Sequence, residues 1–184
     1  MAVKSIVETY RKAPAAKRID IIIDNYSIFD QMIEGEEECI YIKIRREQEE
    51  LRRRTDDLGV RVQTSNISDI TGNTATANAD VSRAIHIGDW RLAAKGTKHY
   101  TEYRKAIETL QLMRDDYDIV KGQLKGIKDE EHLFQKYLNG EMKYEDLADD
   151  MKLSCDALRA RIYRFRTTLK QKALFHMEDE AMCA

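Results

Sequence analysis

The chain has 184 residues, 42% of them hydrophobic and 35% charged, enough for one ordinary domain or two small ones with a real core. That composition suits a soluble, helix-rich protein. The formal net charge of −2 says little about partners, and its distribution says more. Cys39, Cys155 and Cys183 are odd in number and widely spaced, without a CxxC pair or a histidine at metal spacing. Neither a disulfide framework nor a zinc site is supported by that pattern, and reduced thiols in a cytoplasm are expected. The longest apolar runs, such as Ile21 to Ile23, fall far short of a membrane span, and no signal-peptide pattern opens the chain. A cytoplasmic location, in a bacterial host, is the expectation, with no membrane partner.

Chain breakers are few. Pro14 is the only proline and sets a short N-terminal piece apart from the rest of the chain. From Ala15 to Leu58 the pattern is helical: Ile19, Ile22, Tyr26, Phe29 and Ile33 recur at steps of three and four, Gly35 interrupts, and Ile40, Ile44, Gln48, Leu51 and Leu58 continue at a heptad-like step. One interrupted helix or two in series would satisfy this spacing. Residues 59–96, polar and rich in Thr, Asn and Ser, read as a long insert with one helix near Ala77 to Ile87. Trp90, at the end of this insert, is expected in the core. A second long helix runs from about Lys98 to Leu124, with Tyr103, Ile107, Leu110, Tyr117 and Leu124 in one stripe and Ala106, Met113, Val120 and Ile127 beside it. Two amphipathic helices of similar length need each other or a second copy. The expected fold is therefore all-α: a long antiparallel helical hairpin with coiled-coil character over residues 1–128, followed by a C-terminal helix-turn-helix domain over 129–184.

Charge is sorted sharply within that last domain. Residues 129–151 hold eight acids against Lys136 and Lys143, a balance of −6, whereas 152–172 hold seven bases against Asp156, a balance of +6. Such segregation suggests a face turned to a polyanion. Asp129 is placed to cap a first helix carrying Leu133, Phe134, Tyr137 and Leu138, which Asn139-Gly140 would end. Tyr144, Leu147, Ala148 and Met151 make a second short helix, Lys152-Leu153 turns the chain, and Ser154 caps a third. In a helix-turn-helix, small Ala148 allows close helix approach, Leu153 plugs the turn, and Leu158 and Ile162 seal the recognition helix to its support. Ser154, Cys155, Asp156 and Arg159 would then lie nearest to base edges, with Arg161, Arg164, Arg166 and Lys170 meeting phosphates.

The stretch "MKYEDLADDMKLSCDALRARIYRFRTTL", residues 142–169, resembles region four, the promoter-reading domain, of bacterial sigma factors of the extracytoplasmic-function type. The matching residues are Tyr144, Glu145, Leu147, Ala148, Leu153, Ser154, Leu158, Arg161, Ile162, Arg164, Arg166 and Leu169. The first 128 residues do not share that likeness. The whole-chain layout, charged helical arms, the "VQTSNISDITGNTA" insert and a sigma-like C-terminus, is similar to small prophage-encoded regulators of the ArpU and RinA kind. What the resemblance implies is a sequence-specific transcriptional regulator of phage or prophage type, binding double-stranded DNA as a homo-oligomer, a dimer for preference, with RNA polymerase as a further partner.

Two other readings stay open. A phage DNA-packaging protein like a small terminase subunit also joins a helix-turn-helix to oligomerising helices, and a helical adaptor would use the same surfaces on proteins. An enzyme is not expected. His86, His99, His132 and His176 are scattered, no nucleophile elbow is present, and adjacent acids such as Asp115-Asp116 point to different helix sides. No cofactor, metal or catalytic residue is assigned.

Overall fold

Pro14 delivers the first boundary. With φ at −65° it precedes a helix without entering it, and its carbonyl accepts the amides of Lys17 and Arg18. The computed structural model describes residues 6–56, 70–129 and 132–183, and every regular element among them is helical: α1 (Ile6–Lys12), α2 (Ala15–Asp24), α3 (Phe29–Asp56), α4 (Ile70–His86), α5 (Trp90–Ala93), α6 (Tyr100–Lys125), α7 (Leu133–Asn139), α8 (Tyr144–Asp150) and α9 (Cys155–Cys183). The all-α class expected from the spacing of apolar residues is what is found.

Boundaries differ in two places, each for a local reason. Gly35 does not break a helix. It lies inside α3, where one glycine costs about 1 kcal/mol and buried Ile33, Ile40 and Ile44 hold the helix down on both sides. The break comes instead at Asn25, whose side-chain amide donates to the Ile21 carbonyl at 2.8 Å. That bond replaces the backbone partner of the next helical turn, and a short 3-10 turn, Tyr26–Ile28, leads into α3. The polar insert is also more helical than its composition suggests. A helix runs from Ile70 to His86, anchored where Ala84 and Ile85 are buried, so tertiary contact overrides the weak propensities of Thr and Asn. The remainder of the insert's first part, 59–69, lies outside the described residues.

The helices group into two compact units: residues 1–32 with 113–184, and residues 33–112. Within the first unit α9 packs on α2, more than a hundred residues earlier in the chain. Both α3 and α6 contribute residues to each unit.

In the first unit the core begins with Tyr10, Ile19, Ile22, Phe29, Met113 and Val120, none more than 2% exposed. Phe29 lies 5.1 Å from the Tyr117 ring and 6.1 Å from Tyr10. Into this apolar setting α6 inserts one carboxylate, Asp116. It accepts from the Tyr10 hydroxyl at 2.7 Å and faces Arg18 Nε at 2.8 Å. Burial pushes the Asp116 carboxyl above the usual carboxylate range even though Tyr10 and Arg18 pull the other way, and burial beside Asp116 pushes the Tyr10 phenol far up. Asp115 is on the exposed side of the same helix, as neighbouring positions require.

In the second unit Ile40, Ile44, Ile85, Ala93, Tyr103, Ile107 and Leu110 are buried. Glu47 of α3 ties the start of α6 in place, accepting from the Lys98 amide and, at 3.0 Å, from the Tyr103 hydroxyl, with His99 Nδ1 at 3.1 Å. A carboxylate at a helix start also meets the positive end of the helix dipole. Gly88, at φ +80°, turns α4 into α5; a Cβ there would meet Gln111 Cγ at 2.7 Å, and Gln111 donates to the His86 carbonyl.

Candidate nucleic-acid interface

Three C-terminal helices build the surface. Asp129 caps α7 from four residues upstream, its carboxylate accepting the amides of Leu133 at 3.1 Å and Phe134 at 2.8 Å. Gly140, at φ 65°, ends that helix, with the amides of Gly140 and Glu141 donating back to the carbonyls of Tyr137 and Lys136, a paired closure that suits a left-handed glycine. Leu133, Phe134 and Leu138 are buried, and Phe134 stacks on Phe165 of α9 at 5.4 Å.

The turn between α8 and α9 repeats the closure with a different residue. Lys152 holds φ at 52°, its amide donating to the Asp149 carbonyl while the Leu153 amide donates to that of Ala148. Leu147 and Ala148 are buried on one side and Leu158 and Ile162 on the other. Burying one such leucine stabilises by about 2 kcal/mol. Leu153 itself is only half-buried, so the turn is closed chiefly by its backbone. The Tyr144 hydroxyl donates to the Cys155 carbonyl at 3.2 Å, pinning α8 to the first turn of α9. Ser154 Oγ accepts from the Ala157 amide at 3.2 Å, the cap expected of it.

The residues picked from the sequence now divide. Ser154, Cys155, Asp156, Arg159 and Arg164 are exposed, Asp156 and Arg159 having side chains 94% and 71% exposed. Arg159 lies 3.5 Å from Asp156 and 5.8 Å from the Tyr144 ring. Arg164 Nε donates to the Ala160 carbonyl, and Arg161, half-exposed, lies along Phe165. Arg166 and Lys170 are placed differently. Arg166 pairs with Asp24 at 2.5 Å, and Lys170 donates to both oxygens of Asp20 at 2.7 and 2.8 Å. Lys172 Nζ donates to the Gly126 carbonyl. These three cations tie α9 to its own unit, so Arg166 and Lys170, unlike Arg159 and Arg164, already have partners on α2.

No family model, curated protein or solved structure matches this chain.

One residue of this surface escaped sequence reading. Tyr163 is 71% exposed and lies one turn beyond Arg159, opposite the buried side formed by Leu158 and Ile162. The signal was the helical step itself, because an aromatic off the buried stripe of a capped helix faces water. Trp90 also departs from expectation. It is half-buried, not core, with the Tyr100 ring edge-on at 5.2 Å. Of the scattered histidines, His86 faces Glu37 at 3.4 Å and His99 faces Glu47. Among the described residues no group of three His, Cys, Asp or Glu side chains could hold a metal ion, and no helix is long and apolar enough to cross a membrane.

Proposed function

We propose that α8, its turn and α9 form a helix-turn-helix reading duplex DNA in a transcriptional regulator of phage or prophage type, with α3 and α6 as an antiparallel hairpin arm that dimerises. The observation that carries the reading is the start of α9. Its cap is satisfied, its aliphatic side is sealed by α8, and Ser154, Cys155, Asp156, Arg159, Tyr163 and Arg164 stand in solvent. A major groove accepts one helix presented in this way, with its first turns nearest to the bases. The basic reading face is shorter than composition suggests, ending at Arg164 because Arg166 and Lys170 are engaged by α2.

Support for pairing α3 with α6 comes from each unit taken by itself: the Phe29 ring meets Tyr117 in the first, and the Tyr103 hydroxyl donates to Glu47 in the second. A dimer would bring two copies of α9 to two half-sites and raise affinity by effective concentration. The likeness of residues 142–169 to sigma region four makes RNA polymerase a further partner in this proposal.

Selection of bound sequences from a random duplex library at two salt concentrations tests it. A recovered consensus, bound with an affinity that falls as salt rises, is expected. A pool that stays random after repeated rounds would reject the regulator.

A further inference from the structure

The second unit carries an exposed surface that the DNA-reading helix does not use. Between Ile87 and Lys105 the chain holds five bases, Arg91, Lys95, Lys98, Arg104 and Lys105, against Asp89 and Glu102. Asp89 is occupied in capping α5, accepting the Leu92 amide at 3.0 Å. A shallow depression of about 610 Å³ is lined by Asp89, Trp90, Arg91, Leu92 and Lys95. Leu92 is 49% exposed there and Tyr100 36% exposed beside it. The Trp90 ring is fixed from several directions: Tyr100 edge-on at 5.2 Å, the Arg91 guanidinium 5.0 Å from its centroid and that of Arg104 4.8 Å. Arg104 is partly neutralised by Glu108 at 2.7 Å. Among the described residues, no carboxylate pairs with Arg91 or Lys95.

We propose that this surface, centred on Trp90 and Leu92 and rimmed by Arg91 and Lys95, docks an acidic segment of a partner protein that carries an aliphatic or aromatic anchor. Held tryptophan, tyrosine and arginine side chains around a small apolar centre are the composition of an interface hot spot. Ordering Trp90 in advance lowers what binding must give up in side-chain freedom. The unpaired positive rim requires a negative partner and steers it in. Nucleic acid fits less well. A base-stacking platform needs a bare ring face, whereas Trp90 already carries two guanidinium groups, and half-exposed Leu92 has no role against a phosphate backbone.

The test uses the full chain and a fluorescent peptide of about twelve residues composed of aspartate, glutamate, leucine and phenylalanine, with binding read by anisotropy. Two control peptides replace either its acids by lysine or its apolar residues by serine, and an oligothymidine serves as the nucleic-acid probe. The acidic amphipathic peptide should bind, both control peptides should lose about tenfold or more, and Trp90→Ala should cost a similar factor. Because Trp90 also holds α5 and Arg91 helps to fix its ring, the exposed Lys95→Glu, on the rim of the depression, supplies an independent variant, expected to weaken peptide binding about tenfold without moving the melting temperature. The proposal is overturned if the peptide does not bind, if it binds all variants equally, or if oligothymidine binds this surface more tightly than the peptide.

Discussion

Between Ser154 and Arg164, α9 holds Arg159 and Arg164 in solvent, while from Arg166 to Met177 the same helix lays its cations on α2 and on a backbone carbonyl. Both halves are basic and both bury one aliphatic side. What separates them lies about 145 residues earlier in the chain. Asp20 and Asp24 sit one turn apart on α2, as Lys170 and Arg166 do on α9, so the two pairs close together. A run of bases on one helix therefore states how much charge is present, and packing decides how much of it a ligand can reach.

The largest effect should come from the side that the two halves share. Leu158 is fully buried, and Leu158→Asp would place a carboxylate in that apolar contact at a cost of about 4 kcal/mol or more. Loss of the cooperative thermal transition, followed by circular dichroism, is the expected result. A variant that melts like the parent would mean that α9 is not clamped, and the contrast between its halves would lose its basis.

Next in size is the exposed half. Arg159→Ala with Arg164→Ala should lower duplex affinity about tenfold or more, and each lost phosphate contact should reduce the salt slope by about one. The thermal transition should move little, since Arg164 bonds only within its own helix and Arg159, exposed, adds only its contact with the Tyr144 ring. Equal DNA binding by this variant would transfer the reading surface elsewhere. The tied half should respond in the opposite sense. Asp20→Asn with Asp24→Asn removes two partly exposed pairs, each worth about 0.2–1 kcal/mol. A small fall in melting temperature with little change in DNA affinity is expected. Should affinity instead rise with the freed cations, Arg166 and Lys170 would rejoin the reading face.

Much of this arrangement was legible because it is local. The cap at Ser154, the carboxylate of Asp129 serving α7, the glycine stop at Gly140 and the buried stripe of Leu158, Ile162 and Leu169 all arise from spacings of a few residues. The pairing of Arg166 with Asp24 was not legible, since no periodicity links residues so far apart. Gly35 misled because an average propensity was set against three buried isoleucines, and Asn25 gave no signal because its effect depends on where its side-chain amide points. Trp90 was expected in the core by residue type, yet the cations around it keep one side near water.

The smallest prediction concerns the turn that presents the exposed half. The ends of α7 and α8 close with the same pair of backbone bonds, but Gly140 occupies the left-handed position in one and Lys152 in the other. For an L residue this conformation costs about 1 kcal/mol, and glycine avoids that cost while adding disorder to the unfolded chain. Lys152→Gly should therefore stabilise by at most about 0.5–1 kcal/mol, a difference that chemical denaturation of the full chain can resolve. Its effect on DNA separates two roles for an exposed side chain that shares its turn with Ser154. Unchanged affinity makes Lys152 a turn residue only. A loss of affinity in a protein that has become more stable would extend the reading face back across the turn, because fold damage could not account for it.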